Sequence, residues 1–297
     1  MILVVGSTGY LGSEICRLLR ADEQPVRGLV RTTSAPEKVE RLQSLGVQTV
    51  VGDLRDPASL AEACRGMESV VTTAATTISR QPGDSILVTD QQGQLDLVQA
   101  ARAAGVKHFA LVSILMSMGT CPFTTAKRTV EQAVMSSGME YIILRPGLFM
   151  EVWLSPIIGF DYPNTKATVF GEGHSKNSYI SLGDVAQYVV ESLSHPAAKN
   201  TCFDLCQPQA FSMQEVVRIF EKLGEKPFDL TYVPAEALQA QAAAATDALQ
   251  ASTASLMHDI ATGHINGDPS QAEHVFGLKL TTMEEYAQRV LETTPVS

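Results

Sequence analysis

The spacing with the clearest chemical consequence is Gly6-Ser7-Thr8-Gly9-Tyr10-Leu11-Gly12, which follows the apolar run Ile2-Leu3-Val4-Val5 and precedes an amphipathic stretch starting at Ser13. Residues without a Cβ let backbone amides approach a pyrophosphate. A helix start behind them adds unpaired N–H groups and a partial positive charge. That chemistry is nucleotide binding. In such a unit the end of the second strand meets the adenosine ribose, where an acidic residue would accept hydrogen bonds from the two hydroxyls of NAD. This chain instead has Arg31, within Leu29-Val30-Arg31-Thr32-Thr33-Ser34, and Lys38 a helix turn further on. A guanidinium beside hydroxyls suits a 2′-phosphate, so NADP(H) is expected over NAD(H). Asp53, in Gly52-Asp53-Leu54, is placed to accept a hydrogen bond from an adenine amino group, with Leu54 beside it. Thr73-Ala74-Ala75 are small and would let the cofactor pass close to the backbone.

Other chemistries find little support. The six histidines, His108, His174, His195, His258, His264 and His274, show no H-x-x-x-H spacing, so no metal is expected. Ser113 and Ser117 sit in no G-x-S-x-G elbow. Five cysteines form no C-x-x-C pair and point to a reducing, cytoplasmic setting, with Cys202 and Cys206 read as buried small hydrophobes. A formal charge of −10 without a basic cluster disfavours nucleic acid and anionic membranes as partners. No apolar run approaches the ~20 residues needed to span a bilayer. The expected partner is an apolar or aromatic small molecule.

Strand and helix signals alternate through the first half, with strands at 2–5, 26–30, 48–51, 69–72, 108–113 and 140–145 and helices at 12–20, 36–45, 57–64, 90–104 and 124–137. Alternation of this kind predicts an α/β fold, a Rossmann-type doubly wound parallel sheet. Asp56-Pro57 starts one helix, and Gly46, Gly66, Gly105 and Gly138 stop others. Residues 1–149 are read as the NAD(P)-binding domain and 150–297 as a smaller substrate lobe. The helix at 183–194 and a strand at 201–205 are candidates to rejoin the sheet. Beyond Pro146 the pattern loosens, and only the helix at 183–194 is clear, with Asp184 as its N-terminal cap. The Ala/Gln-rich stretch Pro234–Ser255 reads as a surface helix or flap. Met116, Met118, Phe149, Met150, Trp153, Leu154, Phe160 and Tyr162 are candidates for an apolar substrate wall, of which a third would touch substrate.

The glycine turn, Val30-Arg31, Gly52-Asp53-Leu54, Lys127 and Ile143-Leu144-Arg145-Pro146-Gly147 together resemble atypical short-chain dehydrogenase/reductases of the NmrA-like group. The resemblance covers nearly the whole chain. It implies an NAD(P) cofactor held by Gly6 to Gly12, Ser113, Lys127, Pro146, Gly147 and Phe149 along with the residues above, and Met116, Met118, Met150 and Trp153 on the substrate side. The group includes isoflavone-reductase-like enzymes, NAD(P)H:quinone reductases, a dye reductase, photosystem assembly factors and redox-sensing regulators that bind the dinucleotide without turnover. Ordinary members of the superfamily carry Tyr-x-x-x-Lys, with the tyrosine as proton donor. Here the segment is Phe123-Thr124-Thr125-Ala126-Lys127, which keeps the lysine and loses the donor. Ser113-Ile114-Leu115-Met116 likewise keeps one early hydroxyl while the carbonyl-orienting serine is replaced. Ser-Tyr-Lys carbonyl reduction is therefore not expected. Hydride transfer to a quinone or other conjugated acceptor remains, with Lys127 as an acid/base group as in isoflavone-type relatives, or as a ribose anchor only. A second reading is a redox sensor, regulator or assembly factor that binds the dinucleotide and a protein partner.

Overall fold

The computed structural model describes residues 1–77 and 80–293, and the chain divides into two compact units. One comprises Met1–Ile114, Pro122–Arg145 and Val185–Phe203; the other comprises Leu115–Cys121, Pro146–Asp184 and Asp204–Ser297. Leu115–Cys121 and Pro146–Phe149, which the sequence reading put in the first domain, thus belong to the second unit. Residues 185–203 belong to the first, in keeping with the expectation that the helix at 183–194 and the strand at 201–205 could rejoin the sheet.

The first unit is built on the parallel strands β1 Ile2–Val5, β2 Val26–Val30, β3 Gln48–Val51, β4 Ser69–Thr72, β5 His108–Val112 and β6 Glu140–Pro146. The strand Thr201–Leu205 flanks β6, giving the order Thr201–Leu205, β6, β5, β4, β1, β2, β3. Asn200 N–H donates to Tyr141 O and Gly147 N–H to Leu205 O, so the partners rise together and this seventh strand is parallel too. The order reverses between β1 and β4, and ligands of open α/β sheets bind at the carboxyl ends of the strands at such a switch point.

Strands form here because their apolar runs are buried: β1, for example, is buried at every position. Leu3, Val5, Val70, Phe109, Leu111 and Ile143 pack with Leu60 and Ala63 of α3 (Pro57–Cys64), Leu97 and Ala101 of α4 (Gln94–Ala103), and Val130 and Val134 of α5 (Pro122–Met135). The same unit contains α1, Tyr10–Ala21, and α2, Pro36–Ser44. Asp56 caps α3, its side chain accepting from Ala58 N–H at 3.1 Å.

The helix expected at 90–104 is two elements. A π-helix, Ile86–Gly93, capped by Ser85 Oγ accepting from Val88 N–H at 3.1 Å, runs into α4. Gly93 permits the junction, since a Cβ there would lie 2.5 Å from Leu54 O. The wider turn also moves Asp90 into the unit's interior, which a regular 3.6-residue pattern gives no reason to expect.

The second unit is far more helical than expected. Helices run over Met213–Gly224, Ala235–Ala244, Ala248–Thr262, Ser270–Phe276 and Met283–Thr293. Ser212 and Glu215 form a capping box at the first of these, a start signal present in the sequence and passed over. Asp247 caps Ala248–Thr262, accepting from Leu249 and Gln250 N–H at 2.9 Å each. The Ala/Gln-rich stretch is therefore a helical pair, with Leu238 and Ala254 buried. Phe160, Phe220 and Phe228 form an aromatic cluster in a core that includes Met150, Leu154, Tyr179 and Tyr286.

Asp184 is not the cap expected of it. Ser181 Oγ accepts from Asp184 N–H at 3.1 Å, while the Asp184 carboxylate accepts from Thr281 N–H and Oγ1 at 2.9 Å each. The acid ties a distant segment to the start of helix Leu182–Ser194, and the serine serves the helix end.

Candidate dinucleotide site

The loop after β1 is constrained from several sides. Gly6 has φ +88°, and a Cβ on it would lie 2.7 Å from Thr73 Oγ1. Gly12 is more restrictive, since its Cβ would lie 2.2 Å from Gly6 O. Its role is thus to let α1 close against its own loop rather than against a neighbouring strand. Ser7 has no exposed surface and donates to Leu29 O at 2.7 Å, so its hydroxyl fastens the loop to β2 and is not free for a phosphate. Gly9 at the N-cap offers no side chain, and the first intrahelical bond is Ser13 N–H to Gly9 O at 2.9 Å. The amides of Tyr10, Leu11 and Gly12 precede that bond, leaving an uncapped positive helix end. The Tyr10 side chain is exposed, Thr8 is half-buried, and the Leu11 side chain packs inward.

At the adjoining strand ends lies a ring of four charges. Arg31 Nη1 lies 2.7 Å from Asp84 Oδ2 and Arg31 Nε 3.9 Å from Asp53 Oδ2. Arg55 donates to Asp53 through Nε at 3.0 Å and Nη2 at 2.8 Å, and its Nε lies 3.6 Å from Asp84 Oδ1. Burial acts to raise the Asp53 carboxyl, but the Arg55 hydrogen bonds and the two guanidinium charges outweigh it and hold it below the ordinary value. Arg31 is therefore a partnered cation, flanked by two carboxylates. Lys38 is exposed on α2, and Leu54 is buried.

At the end of β4, Gln94 clamps the segment Thr72 to Ala74. Its Nε2 donates to Ala74 O at 3.2 Å and its Oε1 accepts from Thr72 Oγ1 at 3.0 Å. Asp90 accepts from Thr76 N–H at 3.1 Å and from the Thr76 hydroxyl. Sequence reasoning missed both residues. Their types are unremarkable, and their inward placement follows from the π-helix, which carries Asp90, and from its junction with α4, which begins at Gln94.

Lys127 is 4% exposed on α5, with Nζ donating to Val112 O at 3.4 Å and lying 5.4 Å from the centre of the Phe123 ring. Burial pulls its ammonium below the ordinary lysine value, against the opposing charges of Asp90 and Glu131. Burial likewise raises the Asp90 carboxyl, opposed by Lys127 and the Thr76 hydrogen bonds. Both shifts make a proton at Lys127 Nζ easier to move. Glu131, four residues along α5, holds Arg128 and Arg145 at 2.5 and 2.8 Å. Ser113 Oγ, 3% exposed, has no hydrogen-bond partner among the described residues. A buried hydroxyl left in that state is costly unless a ligand meets it. Together with the uncapped start of α1, it is what a dinucleotide, with its central pyrophosphate and flanking ribose hydroxyls, would satisfy. These residues fit that group.

The other expected site residues lie in the second unit. Pro146 ends β6 and Gly147 follows it; a Cβ on Gly147 would lie 2.5 Å from Ser178 O, and Phe149 is half-buried. Met150 is 0% exposed, so within its unit it is core and does not face a ligand. Met116 is 54% exposed, whereas Met118 and Trp153 pack partly buried against the core. Leu154 and Phe160 are core as well. Among the described residues no group of three or more His, Cys, Asp or Glu could hold a metal, and no helix is long and apolar enough to cross a membrane.

A strand order with its reversal between β1 and β4, and a glycine-cradled helix start at that point, define a dinucleotide-binding α/β protein of the Rossmann type. The chain belongs to the NmrA-like family, whose model matches residues 1–287. It is 33% identical over 263 residues to an NAD(P)H azoreductase of Xenophilus azovorans, covering 88% of this chain and 86% of that protein. It is 29% identical to an isoflavone reductase homolog of Zea mays, covering 98% of each. Among solved structures, the NADPH-dependent quinone oxidoreductase of Escherichia coli in complex with NADPH superposes with a TM-score of 0.79 at 20% identity, covering 98% of this chain and 100% of that one.

Proposed function

We propose that this protein is an NAD(P)H-dependent reductase of a quinone-like or other conjugated, apolar small molecule, with NADP(H) preferred to NAD(H). The observation that carries the reading is Lys127, an ammonium buried among Asp90 and Glu131 in the same unit as the glycine-cradled start of α1. The first-turn amides of α1 bind the pyrophosphate, Asp53 and Leu54 meet the adenine, and Arg31 with Lys38 serves the 2′-phosphate. Ser113 Oγ and Lys127 Nζ hold the ribose hydroxyls on the nicotinamide side. The reduced nicotinamide supplies a hydride. Charge arriving on a conjugated acceptor spreads over it, so no tyrosine is required, and Lys127 Nζ or water delivers the proton afterwards. The activity of the azoreductase relative, which reduces a conjugated acceptor with NAD(P)H, supports this acceptor class. Exposed Met116 supports an apolar acceptor.

The second reading, a dinucleotide-binding regulator that engages a protein partner, is favoured by Phe123, which stands where the superfamily has its proton donor and covers Lys127. One experiment separates the two. NADPH oxidation is followed with quinones, azo dyes and enones as acceptors, beside a calorimetric titration of the dinucleotide. Acceptor-dependent oxidation establishes the reductase; tight binding with no acceptor oxidising NADPH refutes it in favour of the regulator.

A further inference from the structure

Arg31 and Asp84 are 53 residues apart in sequence, and their side chains meet at 2.7 Å. The Asp84 side chain has no exposed surface, whereas Arg31 keeps 24% of its own. Asp84 is fastened on further sides, accepting from Gln81 N–H at 2.8 Å and from Thr89 Oγ1 at 3.3 Å. Those bonds fix the carboxylate in place, so of the two partners the arginine is the one free to turn.

Resting on the dinucleotide reading above, we propose that Asp84 sets cofactor choice by competing with the 2′-phosphate of NADP(H) for the Arg31 guanidinium. A bound 2′-phosphate carries up to two negative charges and would arrive beside Asp53 and Asp84. It gains full charge-assisted contact only where Arg31 gives up the carboxylate it already holds. A ribose with a free 2′-hydroxyl makes no such demand. Arg55 stays with Asp53 and lies 3.6 Å from Asp84, so the buried acid keeps one cation when Arg31 leaves. The ring thereby narrows the gap between the two dinucleotides that a lone arginine would open.

The test is calorimetric titration of the full-length wild type and Asp84→Asn with NADP+ and NAD+. A neutral amide in place of the carboxylate releases Arg31, and the ratio of NADP+ to NAD+ affinity is expected to rise about tenfold. A ratio unchanged within about twofold, or one that falls, overturns the proposal. A crystal structure of the wild type with NADP+ gives an answer even where the variant does not fold. The Arg31–Asp84 contact is expected to open beyond hydrogen-bonding distance, and its retention beside a bound 2′-phosphate overturns the competition. Failure of the wild type to bind either dinucleotide refutes the cofactor reading itself, and the two failures are thereby distinguishable.

Discussion

Replacing Glu131 by glutamine removes the anion from the centre of a three-residue charge cluster. Its side chain is 2% exposed, with Oε1 at 2.5 Å from Arg128 Nη1 and 3.2 Å from Arg145 Nε, and Oε2 at 2.8 Å from Arg145 Nη2. Glutamine keeps one acceptor oxygen, but its amide nitrogen is a donor and would confront a guanidinium N–H at the other position. Breaking a fully buried pair by removing one partner costs about 3–5 kcal/mol. The arginine side chains here are 24% and 16% exposed, so water recovers part of that and about 2–3 kcal/mol is expected. At about 2–4 °C per kcal/mol for a chain of this size, the unfolding midpoint should fall by about 4–12 °C. A second readout concerns Lys127. Glu131 is one of two anions opposing the depression of its ammonium, so losing that charge lowers the lysine further. Any ionisation of Lys127 seen in the pH profile of turnover then moves to lower pH. Differential scanning calorimetry and the pH profile check the two effects. A midpoint within about 1 °C of the wild type would refute the energetic reasoning, since that corresponds to under about 0.5 kcal/mol. A profile that moves to higher pH would refute the electrostatic part.

Lys127→Met should lower turnover by about 10²–10⁴ while dinucleotide affinity falls much less; equal losses in steady-state kinetics and titration would mark a ribose anchor alone. Gly12→Val places a branched side chain where even a Cβ would lie 2.2 Å from Gly6 O, so the loop must open and calorimetric binding should vanish while the far-ultraviolet dichroism of the fold persists. Wild-type affinity in that variant would place the nucleotide elsewhere. Burial pushes the Cys16 thiol up to about 12 and those of Cys64 and Cys206 to about 11. Their thiolate fractions at pH 8 are then only about 10⁻³ to 10⁻⁴, and iodoacetamide should leave all three intact in the native protein by mass spectrometry. Rapid alkylation would contradict their burial.

Much of the first unit was legible because its signals are local. The expected strands 26–30, 48–51 and 69–72 and the helix 57–64 coincide with β2, β3, β4 and α3, since apolar runs, Asp56-Pro57 and helix-ending glycines act within a few residues. The second unit was harder. Met213, Val216, Val217 and Phe220 keep the i, i+3, i+4, i+7 spacing behind the Ser212 cap, a local signal that was present and passed over, whereas the Ala-rich helices Ala235–Ala244 and Ala248–Thr262 have few bulky apolar residues to mark a period.

The amino-acid sequence by itself determined that a glycine turn of the kind suited to phosphate exists, that its glycines are Gly6, Gly9 and Gly12, and that a lysine without its tyrosine follows on a helix. Those properties are set by the absence of side chains at fixed spacing and by residue type. Only the tertiary structure decided what each charge faces. It pairs Arg31 with Asp84 from 53 residues away, brings Asp90 and Glu131 to bear on Lys127, and closes Arg145 onto Glu131. It also turns Ser7 to the backbone of β2 and leaves Ser113 Oγ without a partner among the described residues. A strand order that puts β4 beside β1 and β5 beyond β4 is a long-range choice, and the charge of a buried group depends on neighbours that only this order supplies.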